Sequence, residues 1–160
     1  MSPPESNTCL ICERISAIQN GTNPYVVAES QSGYAVIGDH QFYRGYSLLL
    51  SKVHANELHE LELPARTAFL EDMSEVAAAA FRAFRPRKMN YELLGNKDTH
   101  MHWHLFPRHN DDAIPEMPIW SLDKAIRSSD SVRPDPETLL TLRQALANEL
   151  RESKRFKILL

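Results

Sequence analysis

The sequence predicts an α+β fold: a five-stranded antiparallel sheet with one long helix packed on it, then a C-terminal loop and helix. Three observations carry this reading. Strand-like and helix-like runs follow one another as strand, strand, strand, helix, strand, strand. Between residues 64 and 84, Phe69, Met73, Val76, Ala80 and Phe84 recur at steps of three and four, the stripe of a helix lying on a sheet. Residues 99–108, THMHWHLFPR, alternate polar and apolar positions, as a strand does with one face buried and one open.

Each element has its own local signal. Residues 1–8 contain Pro and Ser and are expected to be loose. Cys9 and Cys12 lead into a short helix over residues 13–19, stopped by the turn residues of 20–24. Residues 25–29 and 34–37 read as a hairpin about a turn at 31–33, and residues 38–45 as a polar and aromatic loop. Residues 46–51 are nearly all apolar, which places them centrally in the sheet. A short helix or turn over 52–61 precedes the long helix, which has Pro64 in its first turn. Leu70, Ala77 and Phe81 widen its apolar stripe, and Arg85-Pro86-Arg87 ends it. Residues 89–94 are a strand and 95–98 a tight turn into the histidine strand. Residues 109–120 read as loop. Asp135 as N-cap and Pro136 at the first position open a last helix to about residue 154, with Leu139, Leu142, Leu146 and Leu150 on one stripe. Residues 1–108 are thus expected to form a catalytic core, with 109–160 an extension packing on the same domain.

Composition narrows the class. At 160 residues and 42% hydrophobic, the chain can bury one ordinary core. A net charge of −3 gives no footprint for a nucleic acid polymer. No run of 18 apolar residues offers a membrane span. The opening Met-Ser-Pro-Pro-Glu-Ser has neither the basic nor the apolar region of a signal peptide, so the cytoplasm is the expected compartment.

Three of the seven histidines fall within five positions, at 100, 102 and 104. On a strand they line one face, opposite Met101, Trp103 and Leu105. They can be read as polar residues of a solvated face. As a metal site built from histidines alone, three alternating positions span too far for one tetrahedral ion. As catalysts, a neutral imidazole attacks phosphorus while a neighbouring one donates to phosphoryl oxygens. The Cys9-x-x-Cys12 pair reads either as two small buried residues or as a thiol pair, and as zinc ligands it needs two partners.

The stretch Gly95-Asn96 through His100-Met-His102-Trp-His104-Leu-Phe-Pro107-Arg108 resembles the signature of the histidine triad (HIT) family. Its Pro-Arg ending is similar to the branch containing dinucleoside polyphosphate hydrolases. The resemblance runs from about residue 9 to residue 108 and implies a five-stranded sheet, usually in a homodimer. It implies that His102 is the nucleophile, forming a nucleotidyl-histidine at the α-phosphorus that water then hydrolyses. His104 would bind non-bridging oxygens, Asn96 phosphate or leaving group, and Gly95 would allow close approach to substrate. It further implies structural zinc held by Cys9, Cys12, His54 and His100, with no organic cofactor. In relatives without the cysteines, the two histidines bond each other or the backbone.

The family's 38–45 loop contacts ribose and base, which makes Asp39 the partner of ribose hydroxyls and Phe42 or Tyr43 a flank for the base. The loop here is about one residue shorter and lacks the usual proline. The bland alternative is an exposed loop with aromatic anchors. His40 lies on that loop, and His59 reads as a solvated side chain. Arg108 and Lys52 suit either polyphosphate or a carboxylate partner. Trp120 suits core packing, a cover over the site, or a dimer contact. Arg151, Lys154, Arg155 and Lys157 form a basic helix end.

The expected activity is cleavage of a phosphoanhydride or phosphoramidate bond in a nucleotide, adenine being implied by resemblance. A nucleotide-binding interaction module with little catalysis is the alternative, suggested by the long C-terminal segment. A zinc hydrolase with water on the metal is the third, and it requires an open coordination position.

Overall fold

The computed structural model describes residues 9–160, so the looseness expected of residues 1–8 lies outside the described residues. Helix α1 spans Leu10–Gln19, with Cys9 as N-cap. Strands β1 (Val26–Glu29), β2 (Gly33–Ile37) and β3 (Ser47–Ser51) follow, then the long helix α2 (Leu63–Phe84). Strands β4 (Lys88–Glu92) and β5 (His102–Arg108) complete the central part. A short helix α3 (Lys124–Arg127), helix α4 (Pro136–Leu150) and a strand β6 (Lys157–Ile158) end the chain.

The sheet has six strands, in the order β4-β5-β3-β2-β1-β6, with every pairing antiparallel. The expected count of five is corrected by β6, which pairs Ile158 with Ala28 and Lys157 with Glu29. Two residues are too few to show an alternating pattern in a sequence.

One face of the sheet carries the main core. There Val76, Ala80, Phe69 and Phe84 of α2 and Leu139, Leu142, Leu146 and Leu150 of α4 pack on Val27, Ala35, Leu49 and Leu105. At about 25 cal/mol per Å², a contiguous apolar cluster of this kind is the dominant stabilising term. Because α4 lies beside α2, the buried arc of α2 extends to Asp72 and Ala79 rather than to Leu70 and Phe81. Leu70 and Phe81 are 37% and 47% exposed, which corrects the width of the expected stripe. Arg85 ends α2 in the left-handed region, φ 50°, ahead of Pro86.

The opposite face is covered at its two ends and open between them. At one end Ile11, Ile15 and Ile18 of α1 pack on Val26, Tyr34, Val36 and Leu50. At the other, Ile119 packs with Tyr43 and Phe106. His102 and His104 project into the gap between these covers. Among the described residues, no helix is long and apolar enough to cross a membrane.

Candidate active site and metal centre

β5 is an interior strand, paired with β3 on one side and β4 on the other. Its register sets Leu50 beside His102 and both Leu48 and Glu92 beside His104. Side chains two apart share a face, so the imidazoles of His102 and His104 lie together, with ring centroids 4.7 Å apart. Met101 and Leu105 are buried and Trp103 is half-buried against α2, anchoring the strand.

The two rings are held differently. The carbonyl of His100 lies 2.7 Å from Nδ1 of His102. A carbonyl only accepts, so Nδ1 carries the proton and Nε2 keeps its lone pair. His104 Nδ1 lies 2.7 Å from the Tyr46 hydroxyl. Burial keeps that phenol protonated, far above the ordinary tyrosine range. With Tyr46 donating, His104 keeps its proton on Nε2. Burial, and then the charge of His102, push the His104 pKa down to about 3, so this ring stays neutral at neutral pH. Tyr46 fits because Gly38 lies under it: a Cβ there would come within 2.2 Å of the Tyr46 ring.

A cavity of about 170 Å³ opens over both rings, walled by Leu10, Ile11 and Arg14 of α1, by Val36, Leu48 and Leu50, and by Asp39, His40, Tyr46 and Asp98. Asp39 therefore shares a cavity with His102 and His104, and Arg14 binds both of its carboxylate oxygens, at 2.7 and 2.5 Å. Gly95 lines a second, smaller cavity together with His102. Its positive φ of 65° is a turn requirement, since a Cβ there would meet nothing closer than 3.6 Å. Asn96 is exposed and lines neither cavity. Phe42 and Tyr43 stack edge-on, Tyr43 being buried with Phe106.

Trp120 is 42% exposed rather than a core residue. Its ring stands edge-on to His104 at 6.2 Å, its Nε1–H donates to Glu92 at 2.6 Å, and the Arg127 guanidinium lies over it. Arg108 is 3% exposed and bonds Asp112, Asn90 and the carbonyls of Ile114 and Met117, so it is spent on the protein and not free for polyphosphate. Lys52 is paired with Glu29 at 2.6 Å. Of the basic C-terminal group, Arg155 is bound to Asp72 and Glu71 of α2.

Tyr46, Arg14 and Asp98 are cavity residues that the sequence reading did not single out. Tyr46 had a signal, since it precedes Leu48 and Leu50 by the strand period of two. Arg14 had one in its helical spacing from Leu10 and Ile11. Asp98 had none, lying in a turn.

Beyond the end of β3 and just before β5, Cys9, Cys12, His54 and His100 meet with their ligand atoms all within 4.8 Å of one another. His100 Nδ1 is 3.4 Å from both sulfurs, and His54 Nδ1 is 3.2 Å from that of Cys12. The edges of a tetrahedral site with these donors are about 3.3–3.8 Å, so the four residues fit a closed Cys2His2 metal site. His100 Nε2–H donates to the Ser51 carbonyl at 2.7 Å, which leaves Nδ1 free to ligate. Burial also holds His100 below its ordinary pKa, in the neutral form a ligand needs. Burial, then Cys9, raise the Cys12 thiol.

A family model described as the HIT domain matches residues 21–111. No curated protein is significantly similar to the chain in sequence. Among solved structures, the fold is similar to that of a histidine triad protein from Marinobacter aquaeolei VT8, with a TM-score of 0.67 and 21% identity over 78% of this chain and 86% of that one. It is similar to a hypothetical histidine triad nucleotide-binding protein from Sulfolobus tokodaii strain7, with a TM-score of 0.68 and 17% identity over 90% of this chain and 95% of that one. A Zn-bound histidine triad family protein from Mycobacterium smegmatis aligns with a TM-score of 0.60 and 22% identity over 88% of this chain and 94% of that one. Cys9 and Cys12 precede the matched domain, which holds more than half of the chain and the whole histidine strand, and the chain belongs to the HIT family.

Proposed function

We propose that this protein is a nucleotide hydrolase or nucleotidyl transferase acting at an α-phosphorus through His102. The single observation that carries the reading is the bond from His102 Nδ1–H to the His100 carbonyl, which leaves a neutral Nε2 facing the cavity. In the proposed reaction that lone pair bonds to phosphorus. The P–O bond of a phosphoanhydride, or the P–N bond of a phosphoramidate, breaks, and its electron pair leaves with the departing group. Water then attacks the nucleotidyl-histidine and gives up a proton to solvent, the P–N bond to His102 breaks with its electron pair returning to Nε2, and the imidazole is restored, while an amine leaving group takes up a proton from solvent as it departs. His104, protonated on Nε2, donates to a non-bridging oxygen as negative charge grows there. Asp39 accepts from ribose hydroxyls, while Asn96 and Gly95 approach the phosphates as the 95–99 turn adjusts to substrate. An adenine base is favoured by family resemblance. The similar fold of the hypothetical histidine triad nucleotide-binding protein from Sulfolobus tokodaii supports the substrate class.

Cys9, Cys12, His54 and His100 would hold zinc, in keeping with the Zn-bound relative from Mycobacterium smegmatis. Bound by four protein ligands, the ion would supply structural tethering rather than an activated water. No organic cofactor enters this scheme. The open edge of β4, beside a groove of about 470 Å³ lined by Tyr91 and Met117, suits the expected homodimer. We take residues 1–108 as the catalytic core, with 109–160 as an extension. The proposed compartment is the cytoplasm, where unpaired cysteines persist as metal ligands.

The interaction-module alternative rests on the C-terminal segment, of which α4 packs on α2 and β1 as part of the fold, while residues 110–135 stay largely at the surface. Rapid quenching with phosphorus-labelled dinucleoside polyphosphate tests the proposal. A labelled protein that His102→Asn abolishes is the expected result. Turnover by His102→Asn would overturn the mechanism, and nucleotide binding without adduct or turnover would favour the module.

A further inference from the structure

We propose that Arg14 is a positioning residue of the nucleotide site: it clamps Asp39 for the 2′- and 3′-hydroxyls of a ribose and so sets a preference for ribonucleotides over 2′-deoxyribonucleotides. The inference rests on the nucleotide reading above. It starts from helix α1, whose Ile11, Ile15 and Ile18 are buried against the sheet. That packing turns Leu10, Ile11 and Arg14 toward the cavity over His102 and His104. The Asn23 side chain donates to the Arg14 carbonyl, which ties down the turn of helix that carries it.

Asp39 follows β2 directly, and Gly38 N–H donates to the Tyr46 carbonyl, so its backbone is fixed relative to the tyrosine that holds His104. A carboxylate has about four acceptor sites, two on each oxygen. The Arg14 fork takes one on each, at 2.7 and 2.5 Å. One site per oxygen remains, the number and spacing that a cis-diol requires. The clamp also governs which form Asp39 takes. Burial alone would raise its pKa, but the Arg14 hydrogen bonds and charge overcome this and hold the carboxyl below its ordinary range. Asp39 therefore stays ionised and accepts only.

A purely structural ion pair, pinning α1 to the 38–45 loop, predicts something different. Its loss would weaken every nucleotide equally, since it has no means of sensing the 2′-hydroxyl. Lysine supplies charge at that position but not two parallel donors, so it cannot orient both oxygens.

Calorimetric titration of the full chain with AMP and 2′-deoxyAMP separates these cases, with melting curves confirming that each variant folds. Wild type is expected to bind AMP about tenfold more tightly than 2′-deoxyAMP, the scale of one hydrogen bond to a charged group. In Arg14→Gln, AMP should weaken more than 2′-deoxyAMP, which has only the 3′-hydroxyl contact to lose, so that the roughly tenfold preference collapses toward one. Arg14→Lys should retain part of it. An undiminished preference in Arg14→Gln, or equal weakening of both nucleotides, would overturn the proposal. If Arg14→Gln does not fold, Arg14→Lys decides: a full wild-type preference there overturns the clamp. Wild type binding both nucleotides equally overturns the role of Arg14 and leaves the nucleotide reading standing. Wild type binding neither overturns both.

Discussion

His100 and His102 are two residues apart, yet they use opposite nitrogens. His100 donates through Nε2 to the Ser51 carbonyl and turns Nδ1 toward two sulfurs. His102 donates through Nδ1 to the His100 carbonyl and leaves Nε2 to the cavity. Two backbone carbonyls thus set identical side chains differently, one with its free nitrogen toward the sulfurs and the other with its free nitrogen toward the cavity. Sequence alternation puts the rings on one strand, but the acceptors around them decide which nitrogen is free.

That contrast can be broken at either end. At the reacting end, His102→Asn should lower turnover by more than about 10⁴-fold, the cost of losing a covalent nucleophile, with nucleotide affinity largely kept by calorimetry. His104→Gln should cost about 10²–10³-fold in kcat, as removal of an oxyanion donor does, with a smaller change in KM. At the ligand end, Cys12→Ala should abolish the roughly one zinc per chain expected of a single structural site, measured by elemental analysis, and lower Tm. The adduct on His102 should still form once the variant is folded.

The smallest expected effect concerns acid stability. His104 is neutral when folded, with its pKa near 3, and takes a proton near 6.5 when unfolded. The unfolded chain therefore binds more protons between these values, and stability falls as pH drops from about 6.5 toward 3. The Asp39 carboxyl is shifted in the same direction, and its contribution is lost in the same sense but only as pH falls below the ordinary carboxylate range. His104→Gln should flatten the decline of Tm between pH 6.5 and 4.5 by several degrees, on the order of 2–3 kcal/mol at pH 4.5. An unchanged slope would show that the buried ring is not the group responsible.

The legible parts of the molecule were those with a period. The alternation of residues 99–108 and the stripes of α2 and α4 were sufficient to give the sheet, its layers and the shared face of the His102 and His104 rings. The Cys9, Cys12, His54 and His100 cluster rested on resemblance and is assembled by three separate segments. What went unread depends on contacts between distant segments. Arg14 reaches Asp39 across 25 positions and Tyr46 reaches His104 across 58, distances over which local pattern says nothing. Arg108 looked equally suited to phosphate or carboxylate until Asp112 proved to be its partner. Trp120 suited core packing, a cover or a dimer contact alike until its indole N–H found an acceptor in Glu92 of β4, with Arg127 over its ring and His104 at its edge.

Arg108 also has a consequence for the ring of His104. The segment after β5 turns without a regular element until Ile119, and two of its carbonyls, of Ile114 and Met117, are satisfied by this one guanidinium. The guanidinium in turn is aimed by the last residue of β5, through Asn90 on the neighbouring strand. The segment that brings Trp120 edge-on to His104 is therefore fastened to the end of the strand that bears the histidines, so a change at Arg108 would be felt at that ring through the loop rather than through the sheet.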